Sequence, residues 1–131
     1  MRAKYVLGGT KFRLYALEEG GRCEFDEFAE TWRRDDPDEW ARLFYRLERL
    51  GEVGAGRRRT QYNDLGDGLF EAKTKGGLRV LFFYHEGQVV LLSHGFRKKT
   101  SKTLPAEIAK ANTKRSAFLR AVEDGTVTWD K

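Results

Sequence analysis

Lys73, Arg79 and His94, followed by the basic run Arg97-Lys98-Lys99 and by Lys102, are the residues of this chain whose types and spacing suit chemistry. All lie between Leu65 and Thr103, a stretch that reads as three short antiparallel strands running directly into a basic loop. A sheet that collects cations at one edge suits an anion, and phosphate fits best. The planar fork of Arg79 matches two phosphate oxygens. Lys73 can stabilise developing negative charge or, with its pKa lowered by neighbouring cations, serve as a base. His94 titrates in a range useful for an acid or a base. The competing readings are pairing of Lys73 or Arg79 with Glu71 at the surface, and a packing or hydrogen-bonding role for a strand-end histidine.

The strands that must position these groups run from Leu69 to Thr74, Arg79 to Tyr84 and Gln88 to His94. They are rich in β-branched and aromatic residues, and Gly76-Gly77 and Glu86-Gly87 punctuate them as hairpin turns. A two-residue Glu86-Gly87 turn pairs His85 with Gln88 and sets Arg79 opposite His94. The first hairpin admits two registers. A two-residue Gly76-Gly77 turn pairs Thr74 with Arg79, whereas a three-residue turn including Lys75 pairs Lys73 with Arg79. A one-residue slip moves every side chain to the other face, and the first choice would bury Glu71 and Lys73, costing several kcal/mol per unpaired ion. The three-residue register is therefore expected. It gives an apolar face of Phe70, Ala72, Val80, Phe82, Tyr84, Val89 and Leu91, and an opposite face with Glu71, Lys73, Arg79 and His94 around Leu81, Phe83, Val90 and Leu92.

In order, LGDGLFEAK, GGLRVLFF and VVLLSHGFRKKTSKTLPAEIAKA, with the two predicted helices before them, resemble the RelE/ParE superfamily of toxins from type II toxin–antitoxin pairs, most closely its HigB-like, phage-associated branch. The resemblance covers nearly the whole chain. It implies a metal-independent endoribonuclease, or mRNA interferase, that cleaves messenger RNA held on the ribosome and is blocked by a cognate antitoxin, usually a helix-turn-helix protein. The implied reaction is attack of a 2′-hydroxyl on the adjacent phosphate, which needs a base, charge neutralisation and a proton for the leaving oxygen. The family places a catalytic or phosphate-binding cation after the last strand, which implies a role for Lys98. Glu71 stands where some members carry a basic residue.

Composition agrees with this class. With 131 residues, 40% of them hydrophobic, the chain is expected to form one domain over residues 1–131, with a core that needs neither disulfides nor metal. One cysteine, Cys23, excludes an intramolecular disulfide framework, and two histidines argue against a structural zinc site. No apolar run approaches the roughly 20 residues of a membrane span and no signal peptide follows Met1, so the cytoplasm is the expected location and no membrane partner is expected. A net charge of +5 favours polyanions.

The expected architecture is α+β and RelE-like: an N-terminal strand and a two-helix hairpin packed on an antiparallel meander, with a C-terminal helix. Lys11 to Leu17 alternates as a strand with Phe12, Leu14 and Ala16 on one face, and Gly20-Gly21 ends it. Helices follow over Glu24 to Arg34 and Pro37 to Leu50, their apolar residues at helical spacing and facing the Phe70/Val80/Phe82 side of the sheet. Asp36 caps the second helix, Pro37 is its first residue and Gly51 stops it. A last helix runs from Pro105 to about Val122 with an apolar stripe of Ile108, Ala111, Phe118, Leu119 and Val122, in which Arg115 is out of place. Arg115 either snorkels along the helix or reaches the active edge or an acidic partner such as Glu71. From about Asp124 the chain is too short and polar for any element to be expected.

Arg57, Arg58 and Arg59 form a second basic loop with flexible glycines. With Arg97, Lys99 and Lys102 they are candidates to bind RNA or ribosome phosphates, although the run Arg57 to Arg59 reads equally as a solvated loop. His85 reads as a solvated turn residue. Tyr62 and Tyr84 could stack on bases, but Tyr84 falls on the expected core face. Two other classes share this scaffold: a ParE-like DNA gyrase inhibitor, which needs no phosphate chemistry, and a non-catalytic phage or RNA-binding protein.

Overall fold

Leu81-Phe82-Phe83 and Val89-Val90-Leu91-Leu92 are apolar without alternation, the pattern of strands covered on both faces. A computed structural model, which describes residues 1–56, 60–98 and 102–130, has that arrangement. The order is β1 (Arg2–Gly8), β2 (Arg13–Glu18), α1 (Glu24–Asp35), α2 (Pro37–Val53), β3 (Tyr62–Gly66), β4 (Leu69–Lys73), β5 (Leu78–His85), β6 (Val89–Arg97), α3 (Pro105–Asp124) and β7 (Thr128–Trp129). Among the described residues, seven strands form one sheet in the order β3-β4-β5-β6-β2-β1-β7. The meander β3 to β6 is antiparallel, β2 joins it parallel to β6, and β7 closes the far edge parallel to β1.

The expected α+β arrangement is present, with three strands added. β1 and β3 pair with their immediate neighbours in the chain, β2 and β4, across short connections, whereas β7 pairs with the first residues of the chain, far away in sequence. The Arg2 guanidinium lies 2.7 Å from Asp130 and holds that last strand in place.

One face of the sheet carries α1 and α2. Leu43, Leu47 and Leu50 of α2 and Phe25 and Phe28 of α1 pack with Ala72, Val80, Phe82, Val90 and Leu92, all buried. The side chain of Asp36 accepts the Glu39 amide at 3.2 Å and Pro37 opens the helix, as the sequence leads one to expect. Gly51 does not stop it. α2 runs on to Val53, and Gly54, at φ 81°, takes the left-handed position a glycine suits. Gly51 serves instead as a docking point, its carbonyl accepting the amides of Lys11 at 3.0 Å and Phe12 at 2.8 Å. Gly95 is likewise required by packing, since the Phe28 ring occupies the space of any Cβ there.

The other face is covered by α3, whose Ala111 and Phe118 are buried against Leu69, Leu81, Phe83 and Leu91. Its expected stripe is only partly inward: Leu119 and Val122 are exposed, and the buried positions are Ala111, Lys114, Phe118 and Ala121. Lys114 can be buried because Glu24 of α1 meets its ammonium at 2.8 Å and also binds Lys110 at 2.8 Å. Burial alone would raise the Glu24 carboxyl, but the two ammonium groups hold it down at about 2. Arg115 reaches the Asp67 carbonyl at 2.7 Å and Asn112 at 2.9 Å, with its guanidinium over the Phe83 ring, and does not meet Glu71.

Candidate active edge

The end of the meander near the β4–β5 turn is where the candidate cations come together. Lys73 pairs with Arg79 across β4 and β5, the expected register, through the three-residue turn Lys75-Gly76-Gly77. The Thr74 amide donates to the Leu78 carbonyl at 3.0 Å to close it, and the Gly76 amide donates to Glu39 of α2 at 2.8 Å.

The second hairpin differs from expectation. Its turn holds three residues, with Gly87 at φ 77° and Gln88 at φ 61°, so His85 pairs with Val89 rather than with Gln88. That slip places Val90 and Leu92 on the α1/α2 face and Val89 and Leu91 on the α3 face, the reverse of the sequence reading. A bulge at Ser93 then adds a second residue, so His94 lies opposite Leu81, and Arg79 opposite Phe96. The two offsets sum to an even number. His94 therefore stays on the face of Glu71, Lys73 and Arg79, but further from Arg79 than expected.

Beyond Phe96, the Lys98 amide donates to the Gly77 carbonyl at 2.7 Å and continues the ladder. Strand alternation puts Lys98 on the same face as Phe96 and Arg79. Lys73, Arg79 and Lys98 thus stand at one end of three neighbouring strands. Lys73 and Lys98 are half-buried residues, and their ammonium groups make no hydrogen bond or ion pair with the described residues.

Arg79 is in a different state. It is 3% exposed, its Nη1 lies 3.3 Å from Glu71 Oε2, and it also donates to the Thr103 hydroxyl at 3.2 Å. Glu71 has no exposed surface and accepts in addition from Asn63 at 3.0 Å and from the Thr103 hydroxyl. The carboxylate therefore ties β3, β5 and the loop before α3 together. The expected surface pairing is a buried ion pair, closed over by Thr103 and α3.

His94 is enclosed as well, at 1% exposure. Its Nε2 lies 3.1 Å from Glu107 of α3 and its Nδ1 2.9 Å from the Ser93 hydroxyl. A carboxylate only accepts, so Nε2 donates and Nδ1 accepts from the serine. Burial pushes the imidazole pKa down, Lys110 adds to this, and Glu107 only partly opposes it. The ring is neutral near pH 7 and joins α3 to β6.

The remaining candidates are dispersed. Arg97 points to the other face, its Nε donating to the Gly76 carbonyl at 3.2 Å and its guanidinium over the Trp32 ring at 5.4 Å. Lys102 is exposed. Arg57, Arg58, Arg59 and Lys99 lie outside the described residues. His85 is not simply solvated: its ring meets Phe118 edge-on at 5.0 Å and stacks on Trp129 at 6.4 Å. Tyr62 is buried and donates to the Arg46 carbonyl at 2.7 Å, while Tyr84 packs in the core and accepts the Ala55 amide at 3.2 Å.

Sequence reasoning missed Thr103 and Glu107, whose roles depend on where α3 lands. It also missed the outward face of α2, where Arg42, Tyr45, Arg46 and Arg49 recur at helical spacing; that signal was readable. Among the described residues no group of three or more His, Cys, Asp and Glu side chains could hold a metal ion, and no helix is long and apolar enough to cross a membrane.

No curated protein matches the chain. Residues 30–116, from within α1 to within α3, match the family model described as phage-derived protein Gp49-like (DUF891). The chain, with its α+β sheet and its cations at one edge, belongs to this Gp49-like family of RelE-like, toxin-like proteins.

Proposed function

We propose that the protein is the toxin of a type II toxin–antitoxin pair, HigB-like in kind, and an endoribonuclease that cleaves messenger RNA on the ribosome. The observation that carries this reading is the convergence of Lys73 and Lys98, both without a side-chain partner among the described residues, at one end of β4 and β6. Two ammonium groups so placed suit the non-bridging oxygens of a phosphodiester. The RNA 2′-hydroxyl gives up its proton to solvent as its oxygen bonds to phosphorus, the bond from phosphorus to the 5′-oxygen of the next nucleotide breaks and that oxygen takes a proton from solvent, and a 2′,3′-cyclic phosphate and a 5′-hydroxyl result. The charge that builds on the phosphoryl oxygens is neutralised by Lys73 and Lys98, without a metal ion.

Arg79 and His94 then act as positioning residues. Arg79 holds Glu71 and Thr103, the residue that follows Lys102. His94 holds Glu107 and the start of α3. The reading places the protein in the cytoplasm with the ribosome and requires a cognate antitoxin, expected as a helix-turn-helix protein encoded beside it.

Induction of the protein alone in a bacterial host tests this. The expected result is growth arrest with fragmented message, both prevented by co-expression of the neighbouring gene. Arrest with intact message and damaged DNA would replace this reading with gyrase inhibition, and unimpaired growth would leave a non-catalytic RNA-binding protein.

A further inference from the structure

The outward face of α2 has chemistry that the fold uses only in part, through Arg42 and Arg46. Trp40, Leu43, Leu47 and Leu50 turn inward, which leaves Arg42, Tyr45, Arg46 and Arg49 as a stripe on the opposite side. Tyr45 is 56% exposed, and its ring makes no hydrogen bond or ring contact with the described residues. Beside the stripe is a groove between α2 and the start of the meander. It comprises a cavity of about 910 Å³ that reaches Lys75 in the β4–β5 turn and an adjoining one of about 230 Å³ that reaches Arg49, with Tyr45, Arg46 and Gln61 lining both.

The groove is electropositive. Its one carboxylate among the described residues, Glu39, is matched by Arg42 at 2.8 Å and by the Gly76 amide. Burial alone would raise that carboxyl, but the Thr74 hydroxyl, the Gly76 amide and Arg42 together hold it below the usual range, so it stays an ion already in use. Arg46 donates to the Lys73 carbonyl at 3.2 Å, which fixes the groove to the strand that carries Lys73.

We infer that this groove binds single-stranded RNA, with Tyr45 stacking on an unpaired base and Arg42, Arg46, Arg49 and Lys75 meeting the phosphates. The inference rests on the proposed ribonuclease reading for the identity of the strand: RNA held at Lys73 would pass over Lys75 into the groove. The chemistry favours a single strand over a duplex, because an exposed ring between arginines needs a splayed base to stack on, whereas a duplex offers only phosphates and grooves. Gln61 adds an amide able to read a base edge.

A fluorescein-labelled 2′-O-methyl oligoribonucleotide tests this by anisotropy on the full chain, since it lacks the attacking hydroxyl and reports binding without cleavage. Tyr45→Ala should weaken binding by about tenfold, Tyr45→Phe should bind as the parent does, and binding of a duplex of the same sequence should be unchanged. Arg42→Gln with Arg49→Gln should flatten the dependence of log K on log salt by roughly 1.4, the value for two single-strand phosphate contacts. Equal binding by Tyr45→Ala and the parent, or equal losses for single strand and duplex, would overturn the inference. So would loss of neutralisation by the antitoxin in Tyr45→Ala with RNA binding intact, which would make the stripe a protein interface. The two readings fail separately. Parental binding by Tyr45→Ala alongside lost cleavage in Lys73→Ala removes the groove only, whereas Tyr45-dependent binding by a parent that cleaves no message removes the ribonuclease only.

Discussion

Arg79 and Glu71 meet diagonally across β5 and β4, Nη1 3.3 Å from Oε2, with neither side chain appreciably open to solvent. The one arginine of the candidate edge therefore spends its charge within the fold, on the residue that stands where a second cation would strengthen the edge. Removing one partner of such a pair leaves the other charged and buried. Arg79→Ala should cost about 3–5 kcal/mol of stability in urea unfolding, and the apolar double variant Glu71→Leu/Arg79→Met should recover most of that loss. An Arg79→Ala protein within about 1 kcal/mol of the parent would contradict the buried pair.

His94 sets a pH dependence of a particular sign. Its folded pKa lies below the ordinary value, chiefly through burial, so the unfolded chain takes up the proton first as pH falls. Stability is present above about pH 6.5 and should be lost as pH drops below it. Urea midpoints measured from pH 7.5 to 5 should decline in the parent and decline less in His94→Gln. Identical slopes in the two proteins would show that the ring is not held neutral.

Glu24 sets a second window lower on the scale. Its carboxyl is held at about 2, so its contribution is complete above the unfolded value near 4.5 and is lost as pH falls toward 2. The group that protonates there is the clasp between α1 and α3. Hydrogen exchange in α3 should accelerate on acidification through this window, and Glu24→Gln should show fast exchange in α3 already at pH 7. Protection of α3 unchanged by Glu24→Gln would show that Lys110 and Lys114 do not secure it.

Local chemistry made the helical hairpin and the first turn legible. Asp36-Pro37 announces a helix start, and the cost of burying Lys73 selects the Lys73–Arg79 register. The second hairpin was misread because Glu86-Gly87 looks like a two-residue turn, and nothing in Gln88 or Ser93 signals the extra turn residue or the bulge. β7 was missed because its partner β1 lies at the other end of the chain, β3 because Asn63, Asp64 and Gly66 are poor strand formers, and β1 although its partner β2 is the next strand in the chain. The candidate site was legible as a set of cations on one face, but their states were not. Whether Arg79 meets solvent or Glu71, and whether His94 meets water or Glu107, depends on α3. Its docking rests on Lys114 at a position that reads as polar until Glu24 is beside it.

The central claim is that Lys73 and Lys98 serve RNA cleavage, and primer extension on a defined message in a translating mixture of purified components tests it most directly. The parent should give cleavages in register with codons. Lys73→Ala and Lys98→Ala should each lower the rate by roughly two orders of magnitude. Neither lysine has a side-chain partner among the described residues, so both variants should unfold within about 1 kcal/mol of the parent. Message left intact by the parent, or cut at the parental rate by both folded variants, would contradict the account.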